Sequence, residues 1–349
     1  MIMGFNGFVW WQGVVENRDD PLKLGRCQVR VLGIDSERKA LDRDRGIPTD
    51  MLRWMHPMQP ITEAAMNGIG RSPTGLVNGT WVFGFFRDGD NCQDGVMMGT
   101  VGGIPQQVAD PSEGFNDPDG VYPKADHIGE PDTNRLARNE NIDKTVVKTK
   151  RDDVETNVQT RLHSWNEPPT PYNTRYPYNK VTESESGHIT EVDDTPGAER
   201  LHTMHRTGTF EEIHPDGSRV TKIVGDDFEI VKKDKNLYVK GALQITVDGF
   251  ADIKVADHAN ILVEKTTTLE SLGHVEVKCP TANLGHEYKE PAVLGDHYKE
   301  QIDHLIEVFN NHTHFGNLGI PTSVPTVLGH IQIYKEARSS TVNIRGPIK

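Results

Sequence analysis

Three pairs of acidic side chains are the residues of this 349-residue sequence that come nearest to catalytic chemistry. These pairs are Glu183 with Glu185, Asp193 with Asp194, and Glu211 with Glu212. Two carboxylates that flank a glycosidic bond hydrolyse it. Adjacent residues of a strand point to opposite faces, so the carboxylates of the two adjacent pairs do not converge. Glu183 and Glu185 would share a face, but many solvent-exposed acidic residues with no catalytic role do so too. We therefore expect no catalytic residue and no enzyme activity in this chain.

A second candidate for chemistry is the pair of imidazoles in His312-Thr313-His314. The alternative is a pair of surface histidines at a helix end, where the helix dipole favours them. The three cysteines, Cys27, Cys92 and Cys279, are far apart and form no CxxC pair. They predict free thiols in a protein folded in a reducing cytoplasm.

The composition of the chain excludes several classes of protein. Hydrophobic residues make up only 35% of the chain, and Gly and Pro number 33 and 21. These values argue against one large globular core and favour an elongated protein of several parts. A net charge of −13 argues against binding of nucleic acid. No apolar run approaches the roughly 20 residues of a membrane span.

The first region, residues 1–104, alternates short apolar runs with turn signals. The runs that suit strands are Val9–Val15, Cys27–Leu32, Trp81–Phe86 and Val96–Val101. Prolines 57 and 60 make the middle of the region irregular. Short strands with long loops predict a small barrel of the OB type.

The next region, residues 105–182, has no clear hydrophobic period. It ends in a stretch with several prolines among aromatic residues, SWNEPPTPYNTRYPYN. We expect an extended, Pro-rich linker whose rings lie on another part of the molecule.

The region 183–294 carries an internal repeat of eight residues. A valine recurs in each octad, an apolar residue usually stands two positions earlier, and the turn position two positions later holds Gly, Asp or Lys. The residues that define the repeat are Val231, Val239, Val247, Val255 and Val263, with Ile245, Ile253 and Ile261 before them and Gly241 and Gly249 after them. Residues two apart share one face of a strand, so the octads predict one strand and one corner each.

An octad is too short for a complete turn of a single-chain β-solenoid. Three consecutive octads would close one turn, or three chains would each supply one side of a prism. No longer period is superimposed on the octads, which favours three identical chains intertwined in a triple-stranded β-helix. The alternative is an ordinary β-meander in which the spacing is coincidental.

The last region, residues 295–349, begins with a change of period. Tyr298, Ile302, Leu305 and Phe309 are spaced by 4, 3 and 4 residues, which is a coiled-coil seam. The next step along this seam is His312. In a trimer, His312 and His314 would bring six imidazoles to the axis, a set that suits a six-coordinate metal better than tetrahedral zinc.

Several blocks of the sequence carry a family resemblance. They are DPLKLGRCQVRVLGI (20–34), GIPTDMLRWMHPMQPITEAAMNGIGRSPTG (46–75), GVMMGTVGGI (95–104), EGFNDPDGVYP (113–123), NTRYPYN (173–179), TESESGHITEVDDTPGAERL (182–201) and HRTGTFEEIHPDGSR (205–219). They resemble the central-spike, or cell-puncturing needle, proteins of contractile-tailed phages, especially the T-even type, and more distantly the VgrG spikes of type VI secretion.

The resemblance implies an all-β homotrimer. An N-terminal OB domain would bind a ring-shaped baseplate hub protein, and a β-helical shaft would pierce the host outer membrane. A separate PAAR-type protein is a further expected partner at the tip. The protein would belong to the virion tail and be assembled in the host cytoplasm.

Two further implications concern chemistry. Some spikes of this class hold an iron ion on the axis with an HxH motif, so His312 and His314 are candidate iron ligands. The T-even protein carries a lysozyme domain between its OB domain and its shaft, and residues 105–182 do not resemble one. We therefore expect a structural spike without catalysis. The alternatives are a tail spike that binds or cleaves glycans and a secretion-system spike.

Overall fold

The computed structural model describes residues 8–40, 45–152, 156–160, 163–280 and 295–311. The chain divides into two units at residue 251. Among the described residues, no helix combines the length and the apolar character that crossing a membrane requires.

Five strands of the first unit close into a small barrel. They are β1 (Val9–Asn17), β2 (Cys27–Val31), β3 (Trp54–Pro57), β4 (Trp81–Phe86) and β5 (Gly95–Thr100). Around the barrel their order is β1-β2-β3-β5-β4, with all neighbours antiparallel except β3 and β5. This arrangement confirms the predicted OB-type barrel, and it adds β3, which the prolines of the middle region concealed.

The barrel core is apolar and tightly closed. The side chains of Val29, Met55 and Phe86 have no exposed surface. Gly84 marks the closest approach, because a Cβ there would lie 2.0 Å from the carbonyl oxygen of Val96 and 2.6 Å from the Trp11 ring. Only glycine fits at such a crossing.

A buried ion pair joins the barrel to the chain that follows it. The Arg30 guanidinium lies 2.6 Å from Glu16, and both side chains are fully buried. Glu16 also accepts hydrogen bonds from the Thr49 hydroxyl and from the backbone N–H of Phe115, both at 2.8 Å. The segment after the barrel is therefore fixed to it, since a buried charge is tolerated only when its hydrogen bonds are complete.

The structure corrects the prediction of an extended linker over residues 105–182. This region contains a one-turn helix α1 (Arg135–Arg138), a helix α2 (Val146–Asp152) and a hairpin of β6 (Asn157–Gln159) and β7 (Ser164–Asn166). Leu136 and Val147 are buried in a second hydrophobic core. Each helix contributes so few apolar side chains that no hydrophobic period is visible in the sequence.

The second core lies against a five-stranded antiparallel meander. Its strands are β8 (Asn179–Glu183), β9 (Ile189–Asp193), β10 (Arg200–Met204), β11 (Phe210–Ile213) and β12 (Arg219–Lys222). Gly187, Gly208 and Gly217 have positive φ angles in the tight turns between strands. Within the region 183–294, which we predict to be shaft, the first forty or so residues are thus a reversing sheet, and the octads follow it.

The octads themselves show a periodic backbone. Bends fall at residues 224–225, 232–233, 240–241, 248–249, 256–257, 264–265 and 272–273, always eight residues apart. No strand or helix is assigned among residues 225–280. Farther along the chain, helix α3 (Gly295–Asn311) begins at the predicted position.

Candidate functional site: the charged cluster and the octad surface

Five charged or titratable side chains fill the inner face of the meander. We call them the charged cluster: Arg151, Glu191, Arg200, His202 and Glu212. Each has at most 5% of its surface exposed. Four of them come from β9, β10 and β11, where alternate residues point to the covered face. The fifth comes from α2, which lies over that face.

Arg200 is the centre of the charged cluster. One terminal nitrogen lies 2.5 Å from Glu191 Oε1, and the other lies 2.9 Å from Glu212 Oε1. His202 Nδ1 lies 2.7 Å from the second oxygen of Glu191. One guanidinium thus bridges two carboxylates that stand on different strands.

Arg151 ties α2 to the same carboxylates. Its guanidinium lies 3.1 Å from Glu212 Oε1 and 3.4 Å from Glu191 Oε2. The Tyr172 ring packs against the guanidinium groups of both arginines, at 5.1 Å from Arg151 and 5.0 Å from Arg200. Tyr172 belongs to the Pro-rich stretch, so that stretch lies with a ring on the cluster.

The environment keeps both carboxylates ionised. Burial raises the pKa of Glu191, but the His202 hydrogen bond and the Arg200 and Arg151 charges outweigh burial and lower this pKa to about 2. The pKa of Glu212 is also lowered, because Arg151 and Arg200 outweigh the effect of burial. Burial is the main cause that lowers the pKa of His202. The neutral His202 ring therefore donates its Nδ1 proton to the Glu191 carboxylate.

This arrangement is suited to holding elements together and not to acid catalysis. Cleavage of a glycosidic bond needs one carboxylic acid whose pKa is raised, so that it carries a proton near neutral pH. Both carboxylates of the charged cluster have lowered pKa values, and neither is exposed to a substrate.

The structure separates the two adjacent acidic pairs as strand geometry predicts, and it gives Glu183 and Glu185 different partners. Asp193 and Glu212 are buried, whereas their neighbours Asp194 and Glu211 are exposed. Glu185 lies 2.7 Å from Arg18, and this hydrogen bond lowers the pKa of the Glu185 carboxyl. Glu183 accepts a hydrogen bond from Asn134 at 2.5 Å.

The octads present a second functional candidate, which we call the octad surface. It consists of the repeat residues Val231, Val239, Val247, Val255 and Val263 together with Ile245, Ile253 and Ile261. The valines are 42% to 53% exposed and the isoleucines 77% to 92% exposed. Gly241 and Gly249 each occupy the second residue of a bend. Each of these large apolar side chains is therefore left uncovered by a single chain.

The structure describes part of the predicted coiled-coil seam but not the two histidines of the predicted metal site. Leu305 and Phe309 are 61% and 60% exposed on α3, and Ile302 is half-buried. Tyr298 lies on the helix, but its side chain is outside the described residues, as are His312 and His314. In the part of the chain that is described, no three His, Cys, Asp or Glu side chains are grouped to hold a metal ion. The seam and the iron site stay predictions.

A family model described as Gp5 N-terminal OB domain matches residues 33–187. The chain belongs to the Gp5 N-terminal OB domain family. The match begins just after β2 and includes the whole of 105–182. The family domain thus includes the helices and the hairpin that follow the barrel.

Two relatives extend the similarity to Gp5 beyond this domain. The chain is 54% identical over 280 residues to Protein Gp5 of Vibrio phage KVP40, a match that covers 72% of this chain and 66% of the relative. It is 50% identical over 124 residues to the pre-baseplate central spike protein Gp5 of Enterobacteria phage T4, covering 36% of this chain and 21% of the relative. The chain spans about two thirds of the first relative and about a fifth of the second.

The charged cluster was not predicted from the sequence. Its signal is present in the strand ITEVD, where Glu191 and Asp193 share the face of the buried Ile189. The strand RLHTM repeats this pattern with Arg200 and His202 beside Met204. Charged residues on the apolar face of two neighbouring strands indicate a buried ionic network.

Proposed function

We propose that this protein is the trimeric central spike of a contractile phage tail baseplate. In this proposal its octads form an intertwined triple-stranded β-helix that punctures the host outer membrane when the sheath contracts. The observation that carries the proposal is the octad surface. Apolar side chains at a fixed spacing of eight residues are left exposed by a single chain, with the isoleucines at 77% or more.

The backbone of the octads supports the same conclusion. Among the described residues 225–269, the structure shows no backbone–backbone hydrogen bond between octads. Extended chain with unpaired N–H and C=O groups is stable in a folded protein only when other strands supply the partners. Two further copies of the chain would supply both the backbone partners and the cover for the apolar rows.

Three copies suit the octad better than two or four. One strand with one corner makes one side of a prism, and the bends recur after every eight residues. Three sides enclose the narrowest prism, whose interior is filled by one row of Val and Ile side chains from each chain. Such a closed shaft also has no free strand edge.

The baseplate role is supported by the named relatives. One of them is called a pre-baseplate central spike protein. We propose that residues 1–104 bind a ring-shaped hub protein and that a separate PAAR-type protein covers the tip. We further propose that His312 and His314 hold an iron ion on the trimer axis.

We also propose that the spike has no catalytic activity of its own and that a separate protein supplies hydrolysis of peptidoglycan. Support comes from the region after the barrel. There α1 and α2 have only four and seven residues, and the buried carboxylates are neutralised by arginine. Neither feature provides the helical domain or the protonated acid of a lysozyme.

The experiment that tests the proposal measures copy number and shaft stability together. Light scattering of the full chain should give three times the 39.0 kDa mass of one chain. The trimer should also resist dissociation by SDS at room temperature, because unwinding three chains is slow. A monomer with one cooperative unfolding transition would contradict the proposal. Release of reducing sugar from peptidoglycan or capsule, abolished by Glu183→Gln, would favour a glycan-cleaving spike instead.

A further inference from the structure

The stretch between β3 and β4 contains two asparagines that are each followed by glycine. They are Asn67, before Gly68, and Asn78, before Gly79. A glycine has no Cβ, so it leaves its own backbone nitrogen open to reaction with the side chain of the asparagine before it. The structure holds these two Asn-Gly pairs in different ways, and the difference has a chemical consequence.

The first pair, Asn67-Gly68, is the exposed tip of a tight turn. Asn67 and Gly68 have φ angles of 53° and 77°, which are the positive values that Asn-Gly favours in such turns. The Ile69 N–H closes the turn by donating to the Met66 carbonyl at 2.9 Å. A Cβ added to Gly68 would meet no atom within 4 Å, so the backbone of this tip lies in open space.

The reacting groups of the first pair are also free of hydrogen bonds. Among the described residues 45–152, no acceptor is bound by the Gly68 N–H, and no partner is bound by the Asn67 side chain. Both residues are exposed to solvent. Water and hydroxide therefore reach the Gly68 nitrogen and the Asn67 amide without any unfolding of the barrel.

The second pair, Asn78-Gly79, is fixed at both of its reacting groups. The Gly79 N–H donates to the Val15 carbonyl on β1 at 2.7 Å. The Asn78 side-chain nitrogen donates to Asp119 Oδ2 at 3.2 Å, and its side-chain oxygen is buried. A Cβ added to Gly79 would lie 3.1 Å from the Tyr122 carbonyl oxygen. The same dipeptide is thus held against the barrel at this position.

We infer that Asn67 is a site of spontaneous covalent modification, at which the side-chain amide is lost as ammonia, and that the fold protects Asn78 from the same reaction. The Gly68 nitrogen gives its proton to hydroxide and attacks the side-chain carbonyl carbon of Asn67. The new C–N bond closes a cyclic imide, the bond to the side-chain nitrogen breaks, and ammonia leaves. Water then opens the imide at either carbonyl carbon, which gives aspartate or isoaspartate. Nothing is oxidised or reduced.

The product changes the charge and the shape of the loop between β3 and β4. Aspartate and isoaspartate are ionised at neutral pH, so each modified chain gains a negative charge at the tip of the turn. Isoaspartate also lengthens the main chain by a methylene group, which is incompatible with the hydrogen bond from Ile69 to Met66. The modified loop belongs to the barrel, the part of the protein that we propose to bind the hub, but the inference does not depend on that proposal.

Peptide mapping of the aged full-length protein tests this inference. The protein is kept in warm, mildly alkaline buffer and digested with trypsin, which cuts after Arg71 and so separates Asn67, in peptide 54–71, from Asn78, in peptide 72–87. Mass spectrometry measures conversion of amide to acid in each peptide, and a protein isoaspartyl methyltransferase labels the isoaspartate. We expect Asn67 to react at least about tenfold faster than Asn78, because Asn78 reacts only after a local opening that breaks its hydrogen bonds.

Two controls separate the effect of the fold from the effect of the dipeptide. In concentrated urea both Asn-Gly pairs are unfolded, and their rates should become similar. Asn67→Gln should remove the acid product at this position of peptide 54–71, because the longer side chain closes a larger ring far more slowly.

Three results would overturn the inference. They are equal rates at Asn67 and Asn78 in the folded protein, a faster reaction at Asn78, and an Asn67 that reacts in urea but not in the folded protein. Light scattering of the same samples reports the copy number separately. A failure of this inference and a failure of the proposed trimer are therefore distinguishable.

Discussion

The barrel and the octads use similar side chains in opposite ways. In the barrel, Val29 and Phe86 have no exposed surface, whereas in the octads Val239 is 42% exposed and Ile253 is 92% exposed. The barrel closes on itself, so one chain covers its own core. The octads leave their apolar side chains exposed in one chain, and in the proposed trimer the neighbouring chains cover them. The comparison thus separates a domain that one chain completes from a segment that, in our proposal, only an assembly completes.

The meander, which lies between the barrel and the octads in the sequence, has a covered face that differs from both. Its covered face combines apolar residues such as Ile189 and Met204 with the charged cluster. Buried ion pairs add little net stability, but they require one specific arrangement of partners. The cluster thus fixes the position of α2 and Tyr172 on the sheet more than it strengthens the sheet.

The largest effect is expected in the octads. Val247→Asp should abolish the SDS-resistant trimer, because three carboxylates would be placed at one level of an apolar interior, at a cost of several kcal/mol each. Lys254→Ala, on the opposite side of a neighbouring octad strand, is the matched control and should leave the trimer band unchanged. An intact trimer band from Val247→Asp would show that this valine does not face the interior.

The barrel should respond in a different way. Phe86→Ala should destabilise it by about 3–5 kcal/mol through loss of buried area and creation of a cavity. The trimer should persist, since one chain alone completes the barrel. Urea unfolding followed by tryptophan fluorescence, to which Trp11 of the barrel core contributes, measures stability, and light scattering measures the copy number. Loss of the trimer in this variant would mean that barrel and shaft do not fold independently.

The charged cluster should make the meander sensitive to acid. Because the folded pKa of Glu191 is lowered from 4.5 to about 2, its ionised form stabilises the fold above pH 4.5. That contribution, about 3 kcal/mol, is lost as the pH falls towards 2. His202 has a lowered pKa and is neutral when folded, so stability also decreases as the pH falls below its ordinary pKa of 6.5. Amide hydrogen exchange of β9 and β10, measured as a function of pH, should show both losses of stability. His202→Gln should remove the loss that occurs at the higher pH. A flat profile from pH 7 to pH 3 would contradict this account.

The smallest effect is expected at an exposed ion pair of the same sheet. Lys180 and Asp194 lie 2.8 Å apart with side chains 73% and 56% exposed. Solvent screens such a pair, so Lys180→Ala should change stability by less than about 1 kcal/mol. Amide exchange of β8 and β9 measures the change. A larger loss would show that exposed pairs also contribute to the fold of this sheet.

Much of the barrel could be predicted because alternation of apolar residues is a local signal. Four of its strands follow from this alternation, while β3 was hidden because Pro57 ends it and Pro60 follows closely. The octads were visible as a repeat, but a repeat of eight residues does not specify what packs against it, and in our proposal that is the other two chains. The charged cluster was missed although the alternation places Glu191 on the face of Ile189 and Arg200 on the face of Met204, because the sequence does not show which face is covered until the strands are paired. The helix α2 was missed because, among its described side chains, Val147 is the one clearly buried apolar contact.

Amide hydrogen exchange of the octads tests the central claim most directly. In the described residues 225–269, the single chain shows no backbone hydrogen bonds between octads. In the full-length protein at neutral pH, these amides should exchange at least as slowly as those of the barrel strands, because neighbouring chains protect them. Exchange at the rate of an unfolded peptide, while the barrel amides stay protected, would contradict the trimeric shaft.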